Sequence, residues 1–582
     1  MRSTSTRAVI NLYDVTANTD GYYETNSKQP FIDLDQLEHD GYATVKYATL
    51  EHNGFLLDGT YSIIDFDTVS SDDFGYWSGY LSGNDGLFTT NPKITRTFND
   101  NHSVAGLTLA FDRHYWLPKR IRIEFRDSGG NILNNQTFNV DSYLFFASMI
   151  VNDFKYMEIE FLEVETYTFA RLNTIFYGAR LEYSQNSDKN ISNAKILEEL
   201  SVIGDELSIN TSSLTIIDPA ETFNIDNPQG YYSLLQQKQR IDIFSMLNGV
   251  EYQMAANYMK SWQTASGVVA TFECQDILGV MSGTKFKGNL YEQVPARTIV
   301  DEIMLDFGYT DYYVDDEVGN ELLSGIISPC SHKDALQLVG FAIRAVVDTS
   351  RSGTINIYSP VSSIQTQLLT DRKFMNPAHT ITQTDLITDV VVTAHNYVKS
   401  MESSQAYKAF VEPGIYQASF TNPYCDFVGT NCTILDSGYF FVKFQVDTES
   451  EVIIDGYKYD DFTTTFVEAL QELPAGTYRN EKIANACTLI SKSNAMAVAR
   501  HLYRFYQFRL NHSLKFILED EKAGNYAAVS RNNGLVPVLF NSLDIDLTGG
   551  LLATAKGIGY SLRNEDFYYT TEIYAGDVMG VM

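Results

Sequence analysis

The sequence predicts a mostly β, multidomain chain of the α+β class, with a few helices between its sheets. Aromatic residues make up 13% of the chain, as 38 Tyr, 35 Phe and 3 Trp, and rings favour the pleated, half-buried surface of a strand. Short runs that alternate apolar and polar residues, broken by Gly, Asn and Asp, recur along the chain. At roughly 100–200 residues per domain, 582 residues form about three to five domains.

The first part of the chain is predicted to contain an N-terminal segment, 1–54, followed by a β-sandwich, 55–189. Residues 120–125 and 136–140 alternate apolar and polar side chains on either side of an Asp-Ser-Gly-Gly-Asn turn, which predicts a hairpin. Residues 156–161 predict a further strand. Because no stretch of helical period interrupts these regularly spaced strands, a sandwich is the expected arrangement.

A polar run at 184–190 predicts a domain boundary before a second β domain, 190–290. Just after it, residues 192–200 read Ser-Asn-Ala-Lys-Ile-Leu-Glu-Glu-Leu, which predicts a short helix after a polar break. Strands are expected at 207–217 and at 268–274, where apolar residues again alternate with polar ones.

The region 291–380 is predicted to contain two helices. Pro295 suits a first helical position before the run 298–304, and Ser331 begins a capping-box-like start for a helix reaching 346. A hairpin is expected at 351–358, where the chain returns to a sheet.

The remainder of the chain is predicted to be a β module and a C-terminal domain. Residues 381–480 are strand-like throughout, with an inserted module expected around 400–475. The last part, 481–582, is predicted to begin with a long helix, 488–508, and to end in strands.

The charge of the chain disfavours a DNA-binding role. Its formal net charge is −31, so it has no basic surface that could neutralise a phosphate backbone. Its N-terminus lacks the apolar stretch of a signal peptide, and its longest apolar runs are far shorter than the ~20 residues of a membrane span. The five cysteines are widely spaced and are expected to be reduced, with a pairing of Cys425 and Cys432 as the alternative.

The sequence contains no catalytic motif of a common hydrolase or nucleotide-binding fold. Acidic clusters at Asp72-Asp73 and Asp315-Asp316-Glu317 could supply the two carboxylates of a glycosidase, although turns and surface positions explain both. Asp544 and Asp546 could contribute to a Ca²⁺ site, but a turn after a surface strand is the preferred interpretation. Two histidines that fall in predicted helices, His332 and His501, are expected to be structural. We expect no enzymatic activity, no cofactor and no metal.

A group of aromatic residues in the predicted sandwich offers one candidate binding site. The group consists of Tyr76, Trp77, Tyr80, Tyr115 and Trp116. Exposed rings can stack on sugars, whereas buried rings would fill the core of the sandwich, and the core is the preferred interpretation. For a glycan contact, the candidates are Trp77 and Trp116.

Specific strings in the sequence resemble the minor tail proteins of phages and prophages of Gram-positive bacteria. The first is Tyr-Ala-Thr-Leu-Glu-His-Asn-Gly-Phe-Leu-Leu-Asp-Gly at 47–59. The others, in order, lie at 75–78, 85–88, 103–111, 194–200, 237–239, 274–279 and 331–337. A thinner likeness to the tail-hub class returns at 545–554, Ile-Asp-Leu-Thr-Gly-Gly-Leu-Leu-Ala-Thr.

This resemblance implies a structural role at the tail tip or baseplate of a virion, made in the cytoplasm of the bacterial host. Proteins of the tail-hub family form a homotrimeric ring of β domains at the distal end of the tail tube. The implied partners are further copies of the chain, distal tail and tube proteins, the tape measure, and a central spike or fibre. The regions 190–290 and 481–582 would be two hub β domains, and DNA would pass without specific binding because the tube wall is acidic.

Two other functions remain open from the residues alone. One is a carbohydrate-binding adhesin of the tail tip, with host cell-wall glycan as its partner. The other is a cell-wall hydrolase that uses an acidic residue pair.

Overall fold

A computed structural model of the chain describes residues 4–38, 46–64, 74–185, 190–219, 221–224, 226–227, 239–265, 267–360, 366–369, 374–473, 475–531 and 534–559. The chain divides into two compact units. The larger comprises Met1–Ala8, Tyr183–Pro228 and Ile241–Met582, and the smaller comprises Val9–Glu182 and Gln229–Arg240. Strands predominate in both, which confirms the mostly β class. The predicted division into six parts is finer than these two units and stays a prediction.

The smaller unit is built on a six-stranded antiparallel sheet. Its strands lie in the order Thr174–Phe176, Lys93–Ala110, Leu144–Glu163, Arg120–Arg126 and Ile132–Asn139, with Tyr22–Thr25 also paired to Lys93–Ala110. The predicted hairpin is confirmed, because Arg120–Arg126 pairs with Ile132–Asn139 across the expected turn.

The apolar core of this unit lies on one face of the six-stranded sheet. Ile121, Ile123 and Phe125 alternate along their strand and are fully buried, as the period of two requires. A two-stranded sheet, Tyr76–Trp77 with Arg171–Leu172, adds to the same core. The remaining elements are the parallel pair Lys46–Tyr47 and Tyr61–Ser62, the helix Val15–Thr19 and the 3₁₀ helix Leu34–Glu38.

A thirteen-stranded sheet dominates the larger unit. The order along it is Gly178–Ser184, Thr4–Tyr13, Arg240–Leu247, Val250–Ala265, Val269–Gln275, Thr211–Ile217, Asn190–Glu199, Gly534–Asp546, Leu552–Gly559, Leu510–Ile517 and Phe374–Gln383, with Tyr526–Arg531 paired to Gly534–Asp546 and Thr366–Leu369 to Tyr526–Arg531. The chain passes into the smaller unit within Thr4–Tyr13 and returns within Gly178–Ser184.

Two distant regions of the chain meet within this sheet, at a place we call the sheet junction. There Asn190–Glu199 pairs antiparallel with Gly534–Asp546, from Lys195 opposite Asp546 to Glu199 opposite Ser542. On its other side, Asn190–Glu199 pairs with Thr211–Ile217. The strands of 190–275 and those of 510–559 therefore form one continuous sheet.

The prediction of a helix at 192–200 is wrong, because this segment is the junction strand. Its residues Ala194, Ile196 and Glu198 alternate as buried positions, which is the period of a strand. Neighbouring strands on both sides supply its backbone hydrogen bonds, so sheet pairing overrides the helical appearance of Ala-Lys-Ile-Leu-Glu-Glu-Leu.

Three longer helices pack in the apolar core of the larger unit. The first is Ala296–Phe307, which follows Pro295 as predicted. The second is His332–Ala342, where the Ser331 hydroxyl accepts the Asp334 N–H at 3.1 Å; it ends before the predicted 346 because Val346–Asp348 is a strand. The third is Ala495–Tyr506, shorter than the predicted 488–508.

Short elements complete this part of the larger unit. The short helices are Ile277–Met281 and Asp316–Gly319. The strand groups are Lys285–Phe286 with Cys330–Ser331, Asn289–Pro295 with Leu322–Ile327, Tyr312–Val314 with Ile355–Tyr358 and Val346–Asp348, and Thr464–Ala469 with Asp389–Ala394 and Glu481–Ala484. The predicted return to a sheet at 351–358 is confirmed, since Ile355–Tyr358 pairs with Val346–Asp348.

A small β module lies within the predicted 400–475 region. One of its sheets contains Tyr397–Lys399, Ser450–Asp461, Ser404–Val411 and Tyr424–Thr430, and the other contains Gly414–Ser419, Phe441–Val446 and Thr433–Gly438. The two sheets share an apolar cluster that includes Val442, Phe444 and Ile454. The prediction of strands throughout this region is confirmed.

Candidate functional site

Trp77 lies in the core of the smaller unit and has no free face for a sugar. Its side chain is 4% exposed, and its ring packs edge-on against Phe31 and Phe74, with centroids 5.5 and 5.7 Å apart. The Arg171 guanidinium lies 4.1 Å from the centre of the same ring. Tyr76 is also fully buried, stacked on Phe161 at 5.8 Å. The core interpretation therefore holds for both residues, and the glycan role expected for Trp77 is wrong.

Trp116 differs from Trp77, because 64% of it is exposed. It lies in the connection between the strands Lys93–Ala110 and Arg120–Arg126, next to Tyr115, whose hydroxyl accepts the N–H of Tyr47 at 2.8 Å. The structure thus separates the two candidate tryptophans, and a glycan contact by Trp116 stays a prediction.

A buried ion pair holds the segment that carries the first resemblance string. The Arg171 guanidinium donates to both carboxylate oxygens of Glu51, at 2.6 Å for Nη1 to Oε1, and both side chains are buried. Oε1 of Glu51 also accepts the N–H of Phe169 at 2.9 Å, and Oε2 accepts the Thr49 hydroxyl at 2.7 Å. Arg171 further stacks on Tyr115, with its guanidinium carbon 3.8 Å from the ring centre. Because the carboxylate is so fully paired, its charge is compensated inside the core.

The residues that flank Glu51 form an exposed apolar loop, which we define as residues 50–57. Leu50 is 87% exposed and Leu57 is 94% exposed, while Phe55 and Leu56 are about half exposed. Asn53 has a left-handed backbone, with φ of 58°, and the Gly54 N–H returns to the Glu51 carbonyl at 2.9 Å. The fold therefore anchors this loop at Glu51 and presents its aliphatic side chains to solvent, a combination typical of a contact surface.

A second buried cation fixes the N-terminal part of the same unit. Arg96 is fully buried and donates to the carbonyls of Asp20 and Asn18, at 2.9 and 3.0 Å, and to the Glu38 carboxylate at 2.9 Å. Its guanidinium also lies 4.3 Å from the ring centre of Tyr23. This network attaches residues 18–38 to the six-stranded sheet.

The acidic clusters singled out in the sequence are explained by turns and surface pairs. Asp315 caps a short helix by accepting the Glu317 N–H at 3.1 Å, and Asp316 pairs with Arg297. Asp546 accepts the Gly549 N–H at 2.8 Å, which supports the turn interpretation. Asp72 and Asp73 lie outside the described residues. Within the described ranges, no three metal-ligating side chains are grouped closely enough to hold an ion.

His332 and His501, the two histidines expected to be structural, lie in the surroundings of structural residues: one is buried and hydrogen-bonded, and the other is kept neutral by burial. His332 is buried, with Nδ1 2.9 Å from the Thr284 hydroxyl and Nε2 3.1 Å from an Asp306 carboxylate oxygen. Burial lowers the pKa of His501 to about 4, assisted by the positive charges of Arg344 and Arg504. His501 is therefore neutral at physiological pH.

The cysteines and the apolar segments give no further site. Cys425 lies on the strand Tyr424–Thr430 and Cys432 just after it, and both are free thiols. In the part of the chain that the structure describes, no helix has the length and apolar character needed to cross a bilayer.

Sequence reasoning missed Glu51, Arg171 and Arg96 as key positions. A charged residue that will be buried looks in the sequence like any surface charge. The one indication in the sequence that Glu51 matters was the string at 47–59, which contains both Glu51 and the apolar loop.

The sequence matches no protein-family profile and no curated protein. Similar solved structures do exist. A tail protein from Neisseria meningitidis has a TM-score of 0.40 and 8% identity, covering 69% of this chain and 96% of that one. The prophage tail protein gp18 from Listeria monocytogenes has a TM-score of 0.38 and 8% identity, covering 69% and 97%.

A third similar structure is a type VI secretion component of E. coli, described as structurally similar to tail proteins of bacteriophage T4. Its TM-score is 0.33 and its identity 10%, over 65% of this chain and 76% of that one. Two of these three neighbours are tail proteins, and the third is a component of a secretion system.

Proposed function

We propose that this chain is a structural tail-hub protein that forms a homotrimeric ring at the distal end of a tail tube. In this role it connects the tube and the baseplate or tip to a central spike or fibre. Its partners are further copies of itself, distal tail and tube proteins and the tape measure. The resemblance of the strings between 47 and 337 supports this assignment, and the same resemblance implies a Gram-positive host.

The observation that carries the proposal is the sheet junction. The two regions expected to be hub β domains, 190–290 and 481–582, share one antiparallel sheet through Asn190–Glu199 and Gly534–Asp546. A subunit with such a continuous wall can close a ring through head-to-tail contacts, which give three-fold symmetry when three copies complete the turn.

The apolar loop supplies a surface for a neighbouring subunit or tail protein. Its aliphatic side chains are exposed although Glu51 and Arg171 fix its base, so the loop is ordered before any partner arrives. A pre-ordered contact surface loses less conformational entropy on binding than a flexible one.

The acidity of the chain suits a tube through which DNA passes. A net charge of −31 repels a phosphate backbone, so DNA would move past the wall without binding. In a gel-shift assay at low salt, we expect no complex with duplex DNA. Neutral or basic residues at the lumen of an imaged ring would contradict this part of the proposal.

Electron microscopy of the purified chain tests the ring directly. Class averages are expected to show three-fold rings with a central opening. Single asymmetric particles at every concentration and salt would count against the proposal.

The alternative function, a glycan-binding adhesin of the tail tip, is favoured by one observation, the exposure of Trp116. The test is a binding screen against cell-wall glycans with the wild type and with Trp116→Ala. Binding that disappears in the variant would support the adhesin, whereas no binding by the wild type would remove this alternative.

A further inference from the structure

We propose that the strand Ile132–Asn139 is a docking edge at which two copies of this chain pair antiparallel, strand to strand. This contact is separate from the proposed ring and does not depend on it. It follows from the backbone geometry and the charge pattern of one hairpin in the smaller unit.

Ile132–Asn139 is the last strand of the six-stranded sheet, and among the residues that the structure describes it pairs on one side, with Arg120–Arg126. The hydrogen bonds at the two ends of the hairpin fix which backbone groups face this partner. Val140 donates its N–H to the Lys119 carbonyl at 3.2 Å, and Asp127 donates to the Asn131 carbonyl at 3.0 Å.

Hydrogen-bonded pairs in an antiparallel ladder recur at every second residue. Between these two bonds, the inward-facing residues are therefore Asn134, Gln136 and Phe138, opposite Phe125, Ile123 and Ile121. The N–H and C=O groups of Asn135, Thr137 and Asn139 point away from the sheet. Most side chains of this strand are exposed, so the outer edge is accessible.

Natural sheets usually protect such an edge with charged residues, proline or a very short strand. None of these devices is present here. Residues 128–140 contain no Asp, Glu, Lys, Arg or Pro, and the strand has eight residues. Exposed Ile132, Leu133 and Ile150 add apolar surface beside the edge, and Ile150 is adjacent because its carbonyl accepts the Asn134 amide at 3.4 Å.

The strand can pair antiparallel with its own copy, and its lack of charge removes the main obstacle to that pairing, so we assign a second copy as the occupant. Two copies with a net charge of −31 each repel one another over most of their surfaces. This edge is uncharged, so two copies can approach here without placing like charges opposite each other. A β-bulge at Leu133 ends the regular part of the strand, which covers residues 134–139. In a two-fold pairing centred on Gln136, Asn135 faces Thr137 of the second copy, and no charged residue enters the ladder.

The test compares the mass of the wild type with that of Thr137→Pro by light scattering over a concentration series. Proline removes the outward N–H of residue 137 and is tolerated on edge strands where that group faces solvent. At high concentration we expect the wild type to have twice the mass of the variant. If the variant is a monomer, the wild type should be a dimer, and if the variant is a trimer, the wild type should be a hexamer. Moderate salt should strengthen this doubling, because it screens the repulsion between the acidic surfaces. Thr137→Val keeps the N–H and should double like the wild type.

A second variant guards against misfolding of the proline variant. Gln136→Lys keeps every backbone group and sets two lysines opposite each other in the paired state, so it should also stay at the undoubled mass. A synthetic peptide of residues 128–140, added in excess, should lower the mass of the wild type. Equal masses for the wild type, Thr137→Pro and Gln136→Lys at every concentration would overturn the docking edge. If the proposed ring does not form, Thr137→Pro and Gln136→Lys would have the mass of a monomer, so this outcome is distinguishable from a failure of the docking edge.

Discussion

At the scale of single residues, the smaller unit depends on charges that are buried and paired with an opposite charge. Glu51 and Arg171 are the clearest case, because four hydrogen-bonded contacts surround the carboxylate. Such a pair contributes little compared with apolar residues of the same shape, but the loss of one partner leaves an uncompensated charge in the core.

We therefore expect Glu51→Gln to lower the free energy of unfolding by about 3–5 kcal/mol. The matched control is Glu165→Gln, which removes a partly exposed partner of Lys119 at 3.1 Å and should cost less than about 1 kcal/mol. Urea unfolding of the full chain measures both. Equal costs for the two variants would contradict the role of Glu51 as a buried anchor.

His501 gives the larger unit a dependence on pH. Its pKa in the folded state is about 4, below the ordinary 6.5, so the unfolded chain binds more protons between these values. The contribution of His501 to stability is fully present above pH 6.5 and is lost as the pH falls towards 4, at a total of about 3 kcal/mol. Unfolding of the wild type and of His501→Gln at pH 7 and pH 5 measures this difference. The same loss in both proteins would rule out His501 as its source.

Asp276 changes the stability in the opposite direction to His501 over part of the same pH range. Burial raises its pKa to about 6, so the folded state keeps a proton that the unfolded state loses near 3.8. Its contribution is present below 3.8 and is lost as the pH rises to 6. The wild type should therefore show a shallower acid loss than His501 alone would produce, and His501→Gln should expose the opposite slope of Asp276.

Trp77 and Trp116 differ in what their removal should do. Trp77→Ala empties a packed position between Phe31, Phe74 and Arg171 and should cost about 3–5 kcal/mol. Trp116→Ala removes an exposed ring and should change stability by about 0.5 kcal/mol or less. Thermal unfolding of both variants is the measurement. A stable Trp77→Ala protein would show that this ring is not part of the core.

At the scale of elements, the junction strand Asn190–Glu199 is the most consequential. Ile196 is buried within it and faces Ile545 across the ladder. Ile196→Ala should lower stability by about 2–4 kcal/mol, whereas Lys195→Ala, at the neighbouring exposed position, should be nearly neutral. Urea unfolding compares the two. A similar cost at both positions would contradict the alternation of a strand.

The hairpins and the helix starts were predictable because their signals are local. The turn at 127–131, the proline at 295 and the Ser331 cap each act within a few residues. The junction strand was not predictable, since its hydrogen-bond partners lie in residues 211–217 and 542–546, and nothing within 192–200 indicates them. Strand identity there is decided by long-range pairing, which local patterns do not report.

The candidate site was predictable only in part for the same reason. The sequence groups the aromatic residues in one region, but burial separates Trp77 from Trp116, and burial depends on which segments cover a ring. The paired charges of Glu51 and Arg171 are 120 residues apart in the chain. An ion pair between residues so far apart in the chain cannot be predicted from the composition of the sequence or from the spacing of its residues.

At the scale of the whole molecule, the chain has a continuous sheet across the junction, an exposed apolar loop and a net charge of −31. In the proposed ring, the first two would contact neighbouring subunits, and the acidity would keep the lumen from binding DNA. The two-fold docking edge is a separate contact, so its removal by Thr137→Pro isolates the ring.

The three-fold ring can be tested by the mass of the Thr137→Pro chain, measured by light scattering at low and moderate salt. We expect a stable species of three times 65.6 kDa, which persists on dilution. A single-copy mass of 65.6 kDa at every concentration and salt would contradict it.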